Sequence, residues 1–244
     1  MPHTWSDEQA RWIFRRAATL RARGAKPVSG IVLPTHEFYP DKLDASPKTV
    51  RRFFSRTLEL AGLDFLDVKI EIVATEDSEG GGCSTGGCSA PGLPAAPKLQ
   101  RLTQEGDGAY VARLAKGELS HPTVLASAMV RTVAAIFLTE LDALAVFSRE
   151  ERDGAVDLAA TLLGFGPIVA NGSAIEVRGC SGMKVHAATA LGQGEAALAL
   201  AVSCALEEVE PASIAPHLGR VALEAFADAV RFVGANRETV TRID

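Results

Sequence analysis

Residues 122–139, PTVLASAMVRTVAAIFLT, carry one charge, Arg131. Apolar residues spread around more than one face of a helix leave no polar stripe for water, so such a segment belongs in the middle of a core. The rest of the chain has to wrap it. If Arg131 points inward, a carboxylate partner is expected, because burying either charge alone would cost several kcal/mol.

Around that helix the pattern predicts a mixed set of elements. Apolar residues at helical spacing between arginines predict an amphipathic helix over 7–23, and residues 28–33 read as a short strand closed by Pro34. Ser46-Pro47 is an N-cap followed by proline at the first helical position, opening a helix to about residue 61. DVKIEIVA, residues 67–74, alternates apolar and charged side chains as a half-buried strand does. Residues 98–102 and 109–114 flank the turn sequence EGDG and predict two more strands. Helices are expected over 121–143, 149–163, 187–193, 195–208 and 217–233, with a glycine-rich connection and one short strand at 174–178 between the second and third. The fold class is therefore α+β: a small mixed sheet, a central buried helix and a helical C-terminal half, in one domain over 1–244. Residues 76–97, rich in Gly, Ser and Pro, cannot supply a packed core and are expected to form a long mobile loop.

Composition excludes several roles. A net charge of -5 gives no electrostatic footprint for nucleic acid. The N-terminus mixes acidic and basic residues where a signal peptide would be apolar, and the longest apolar run falls short of the roughly 20 residues of a membrane helix. Four cysteines are too few for a disulfide scaffold in a chain of 244 residues. The expectation is a cytoplasmic protein. His3, His36, His121 and His217 read as surface or capping residues, and no G-x-S-x-G or phosphate-loop context is present.

The ordered phrases IVLPTHEFYP, GELSHPTVLASAMVRTVAAIFL, DLAATLLGFGPIVAN and ALALAVSCALEE resemble a group of bacterial zincin-like proteins related to metallopeptidases. The resemblance spans about residues 10–235 and implies a zincin-like fold whose central helix carries H-E-x-x-H. In that motif two histidines four residues apart hold zinc and the glutamate activates the bound water. Laid over this chain, it falls on residues 131–135. Arg131 and Ala135 stand at the ligand positions and Thr132 at the general base. Arginine stays protonated and alanine has no donor atom, so the resemblance implies a degenerate site without zinc. It also implies an acidic ligand on the next helix, for which Glu151, Asp153 and Asp157 are candidates. Asp157, in an apolar setting, is the one expected to face inward and pair with Arg131.

A second candidate site is a set of soft ligands: Cys83 and Cys88 in the glycine-rich loop, with Cys180 and His186 in another glycine-bounded segment, able on paper to hold zinc or iron. Cys204 reads as a buried apolar residue. The functional expectation is a catalytically inactive protein that binds a protein or peptide partner through the former substrate cleft and its adjacent edge strand. Two rivals are a metal- or thiol-dependent enzyme built on the cysteines, without a resident cofactor otherwise, and a structural subunit whose cleft is filled by its own loop or by a second copy in a homo-oligomer.

Overall fold

The computed structural model describes residues 4–44, 46–74, 101–106, 108–179 and 182–243. Helix α1 (Asp7–Arg21) starts at a reciprocal cap: the Ser6 hydroxyl accepts from the Gln9 amide and the Gln9 side chain accepts from the Ser6 amide. Helix α2 (Pro47–Leu60) is capped by Ser46, as its Ser-Pro start predicts. Strands β1 (Val68–Val73), β2 (Leu102–Gln104) and β3 (Tyr110–Ala115) form one mixed sheet with β3 in the middle, parallel to β1 and antiparallel to β2. β3 is almost wholly buried, while β1 alternates half-buried apolar residues with the exposed charges Lys69 and Glu71. An edge strand facing water on one side has that pattern.

Helix α3 (Pro122–Glu140) lies against β2 and β3 and buries Leu125, Met129, Val133 and Ile136. It is followed by α4 (Arg152–Ala160), one π-helical turn over Thr161–Phe165, and α5 (Gly166–Ser173). Strands β4 (Ile175–Gly179) and β5 (Gly182–His186) pair as a separate antiparallel hairpin. Helices α6 (Gln193–Leu206), α7 (Pro211–Ile214), α8 (Arg220–Ala235) and α9 (Arg237–Val240) complete the chain. Alanines on α6 are buried almost throughout, and α8 packs along it. The domain is mixed α and β with a small sheet and a dominant helical part.

Several local expectations are corrected. Residues 28–33 are not a strand: Gly30 takes a positive φ of 71°, and the segment packs on the π turn through Val32 N donating to Gly164 O at 2.9 Å. No helix forms over 187–192, because the amides of Ala190 and Leu191 are drawn to Asp157 instead of to carbonyls four residues back. The helix expected to stop at 163 runs on to Ser173, since Gly164 absorbs the turn with φ 103° and Pro167 sits where α5 needs no amide. The first hairpin strand, expected over 98–102, is β2 at Leu102–Gln104, with residues 75–100 outside the described residues, and β5 was not anticipated. The continuous helix 152–173 and α3 are each long and apolar enough to cross a membrane, and 83% and 67% of their most apolar windows are covered by the rest of the chain. Core helices of folded domains meet the same test.

Glu151 ties α1 to the start of α4. Its carboxylate accepts from Arg16 at 2.6 and 2.8 Å and from the Trp12 indole at 2.7 Å. The Arg16 guanidinium first, then the Ser148 amide and the Trp12 indole, hold this carboxyl down at about 2. A folded value below the unfolded one adds stability that is complete above the ordinary carboxylate range, near 4.5, and fades as pH falls toward about 2. Denaturant unfolding of wild type and Glu151→Gln should therefore differ at pH 7 and converge by pH 2; a gap that persists in acid would contradict this assignment.

Candidate functional site

Arg131 leaves the middle of α3 toward α4, where its Nε donates to Asp157 Oδ1 at 2.5 Å. Asp157 has no exposed surface, while the Arg131 side chain keeps 17% of its own. The second carboxylate oxygen, Oδ2, accepts from Ala190 N at 2.6 Å and Leu191 N at 2.9 Å. Burial pushes the Asp157 carboxyl up, and the Arg131 charge and the two amides pull against it. Both oxygens face donors, so the ionised form is the one this cage satisfies. Of the other candidates, Glu151 is held by Arg16, and Asp153 is 86% exposed and 3.9 Å from Arg131.

The remaining motif positions hold no donor for a metal. Thr132 is buried and spends its hydroxyl on Ala128 O at 2.7 Å, and Ala135 has none to offer. Arg131 fills the space beside Asp157 with a permanent cation. Residues 131, 132 and 135 thus do not fit zinc. Among the described residues no three His, Cys, Asp or Glu side chains are grouped to hold a metal ion. Cys83, Cys88 and Cys180 lie outside the described residues; His186 ends β5 and is half-buried. Cys204 is buried, its thiol pushed up to about 12 by burial.

A large concavity among the described residues lies elsewhere. A cavity of about 840 Å³ opens between residues 34–43, α2, the first half of α3, α5 and β4. Five residues at 100° each put Arg131 about 140° around α3 from Ala126, which lines this cavity, so the pocket and the Arg131 pair use different faces of one helix. Its walls are mainly apolar: Pro34, Phe53, Met129, Val130, Ile168 and Ile175. Tyr39 stacks on Phe53 with centroids 4.9 Å apart, and burial pushes its hydroxyl up to about 12. Arg56 Nε donates to Phe38 O at 3.0 Å, fixing the 34–43 wall to α2. On the opposite side Asn171 donates to His217 O and accepts from Gly219 N, fastening the start of α8 to α5.

Polar groups enter this lining at few points. Asp41 is paired with Arg52 at 3.2 Å and Glu176 with Arg220 at 2.5 Å. Thr35 Oγ1 and His121 Nδ1 are buried and, among the described residues, have no hydrogen-bond partner. His121 occupies the N-cap of α3 without making a side-chain cap bond. Sequence reasoning read His36 and His121 as surface or capping residues and did not gather residues 34–43, 121–130 and 168–176 into one site. The signal available was a proline-rich turn segment, LPTHEFYP, with apolar and polar groups that no helix or strand pattern used.

No family model, curated protein or solved structure matches this chain.

Proposed function

We propose that this chain is a zincin-like protein without metallopeptidase chemistry, whose role is to bind a protein or peptide partner. The observation that carries the reading is the apolar cavity of about 840 Å³, built on the same central helix whose motif positions hold Arg131, Thr132 and Ala135. Sites that recognise side chains are concave, mainly apolar and marked by a few polar groups. The cavity is also bordered by Ile175 and Glu176 of β4, a strand that pairs only with β5 among the described strands. An extended segment can add to such an edge through main-chain hydrogen bonds while one of its side chains enters the pocket.

This relocates the contact surface. The face around Arg131 is closed by the 188–191 segment, through Ala188 O at 3.5 Å from Arg131 and the two amides on Asp157. The partner is assigned to the N-terminal half of α3 instead.

Selection of displayed random peptides on the full chain, followed by titration of synthetic copies and mass analysis after prolonged incubation with added zinc, tests the proposal. The expected result is peptides that bind with Kd on the order of 1–100 μM and are recovered intact. Cleaved peptides, or no enrichment above a heat-denatured control, would overturn it.

A further inference from the structure

We infer that the outer edge of β1 pairs with the same edge of a second copy of this chain, antiparallel and centred on Ile70, joining two three-stranded sheets into one. β1 is the end strand of its sheet, and its other side has no partner among the described strands. The parallel register with β3, in which Tyr110 N donates to Asp67 O at 2.9 Å, turns the amides and carbonyls of residues 67, 69, 71 and 73 toward β3. Those of Val68, Ile70 and Ile72 therefore point away from the sheet. About a two-fold axis through the sheet at Ile70, each outward residue meets an outward residue of the copy: Ile70 meets the copy's Ile70, and Val68 meets its Ile72. An added antiparallel strand requires that match of backbone parity.

Charge selects a second copy as the occupant. In this register Lys69 stands opposite the copy's Glu71, and Glu71 opposite its Lys69. Both are positions between the hydrogen-bonded pairs, where side chains approach most closely. Slipping the strands by two residues either way sets Lys69 against Lys69 or Glu71 against Glu71. A lone lysine on an edge strand repels its own copy, whereas this lysine and glutamate flanking Ile70 make the edge complementary to itself. Inside the chain Lys69 Nζ lies 2.7 Å from Glu105 and Arg113 Nε 2.9 Å from Glu71, yet the Lys69 and Glu71 side chains keep 54% and 52% of their surface. Across the dimer the charges alternate in one row, Arg113, Glu71, the copy's Lys69 and its Glu105, and linked pairs of this kind hold more than isolated ones. On the other face Val68, Ile70 and Ile72 are only half-buried, so the same pairing covers apolar surface that one chain leaves open to water.

Analytical ultracentrifugation of the full chain over a concentration series tests this. A strand edge is a small interface, so wild type is expected to dimerise with Kd on the order of 10 μM and to sediment as a single chain when diluted. Lys69→Glu and Glu71→Lys, each alone, should fold and lose self-association by at least about tenfold, because each reversal sets two like-charge pairs across the axis. Mixed in equal amounts, the two variants regain opposite charges at every cross-chain position and should form the mixed dimer. A variant carrying both reversals should likewise recover the dimer with itself. Contacts inside one chain cannot produce that rescue. Wild type that stays monomeric throughout, or a dimer that both single reversals leave intact, would overturn the proposal. So would the lack of a dimer in both the mixture and the doubly reversed variant.

Discussion

Replacing Asp157 by alanine is expected to lower the stability of the domain by about 3–5 kcal/mol, the range for stranding one member of a buried ion pair. For a chain of this size that is a fall in Tm on the order of 10 °C. Three donors lose their acceptor together: Arg131 Nε and the amides of Ala190 and Leu191. Asp157→Asn should cost less, because one accepting oxygen survives, while its amide group turns a donor toward donors. Arg131→Met should cost about as much as Asp157→Ala, since it leaves the fully buried Asp157 carboxylate with the two amides alone. Thermal and denaturant unfolding of the three variants check the order. A mild Asp157→Ala would mean that water reaches the guanidinium freely and that the pair holds nothing in place.

The second large effect is expected at Gly164. Its φ of 103° lies where side-chain-bearing residues are strained, and a Cβ there would sit 2.5 Å from the carbonyl oxygen of Gly30, which is backbone and cannot swing away. Strain of roughly 1–2 kcal/mol from the backbone and 1–3 from overpacking give about 2–5 kcal/mol for Gly164→Ala. Gly30 provides the control: its φ is 71° but its Cβ would meet nothing within 4 Å, so Gly30→Ala should cost only about 1 kcal/mol. Because Val32 hangs on Gly164 O and residue 34 begins the pocket wall, Gly164→Ala should also weaken peptide binding where Gly30→Ala does not. Equal losses at the two glycines would show that conformation alone, without the close approach, sets the cost.

What could be read from the residues follows from how local the signal is. A lone arginine in an apolar helix demands a carboxylate, and AVDLAATLL offers one in an equally apolar setting, so the Arg131 and Asp157 pair was legible. The cap at Ser46 and the alternation in β1 are local as well. GFGP misled for a physical reason: glycines and proline normally end a helix, yet one π turn with a positive φ at Gly164 lets the helix continue. Residues 187–192 misled differently, since their helical pattern lost to a tertiary acceptor, Asp157, which sequence spacing does not display. The pocket was illegible for the same kind of reason. It is assembled from a turn segment, a helix start and a strand start far apart in the chain, and only packing brings residues 34–43, 121–130 and 168–176 around one cavity.

The central claim, that recognition occurs in the cavity beside α3 and not at the Arg131 face, is tested most directly by filling the cavity. Ala126 lines it from α3 and is only half-buried, so Ala126→Trp places an indole into open space with little change in Tm. Calorimetric titration of the selected peptide into wild type and this variant is the measurement. The account predicts that the folded variant binds at least about tenfold more weakly; wild-type affinity in a folded Ala126→Trp protein would contradict it.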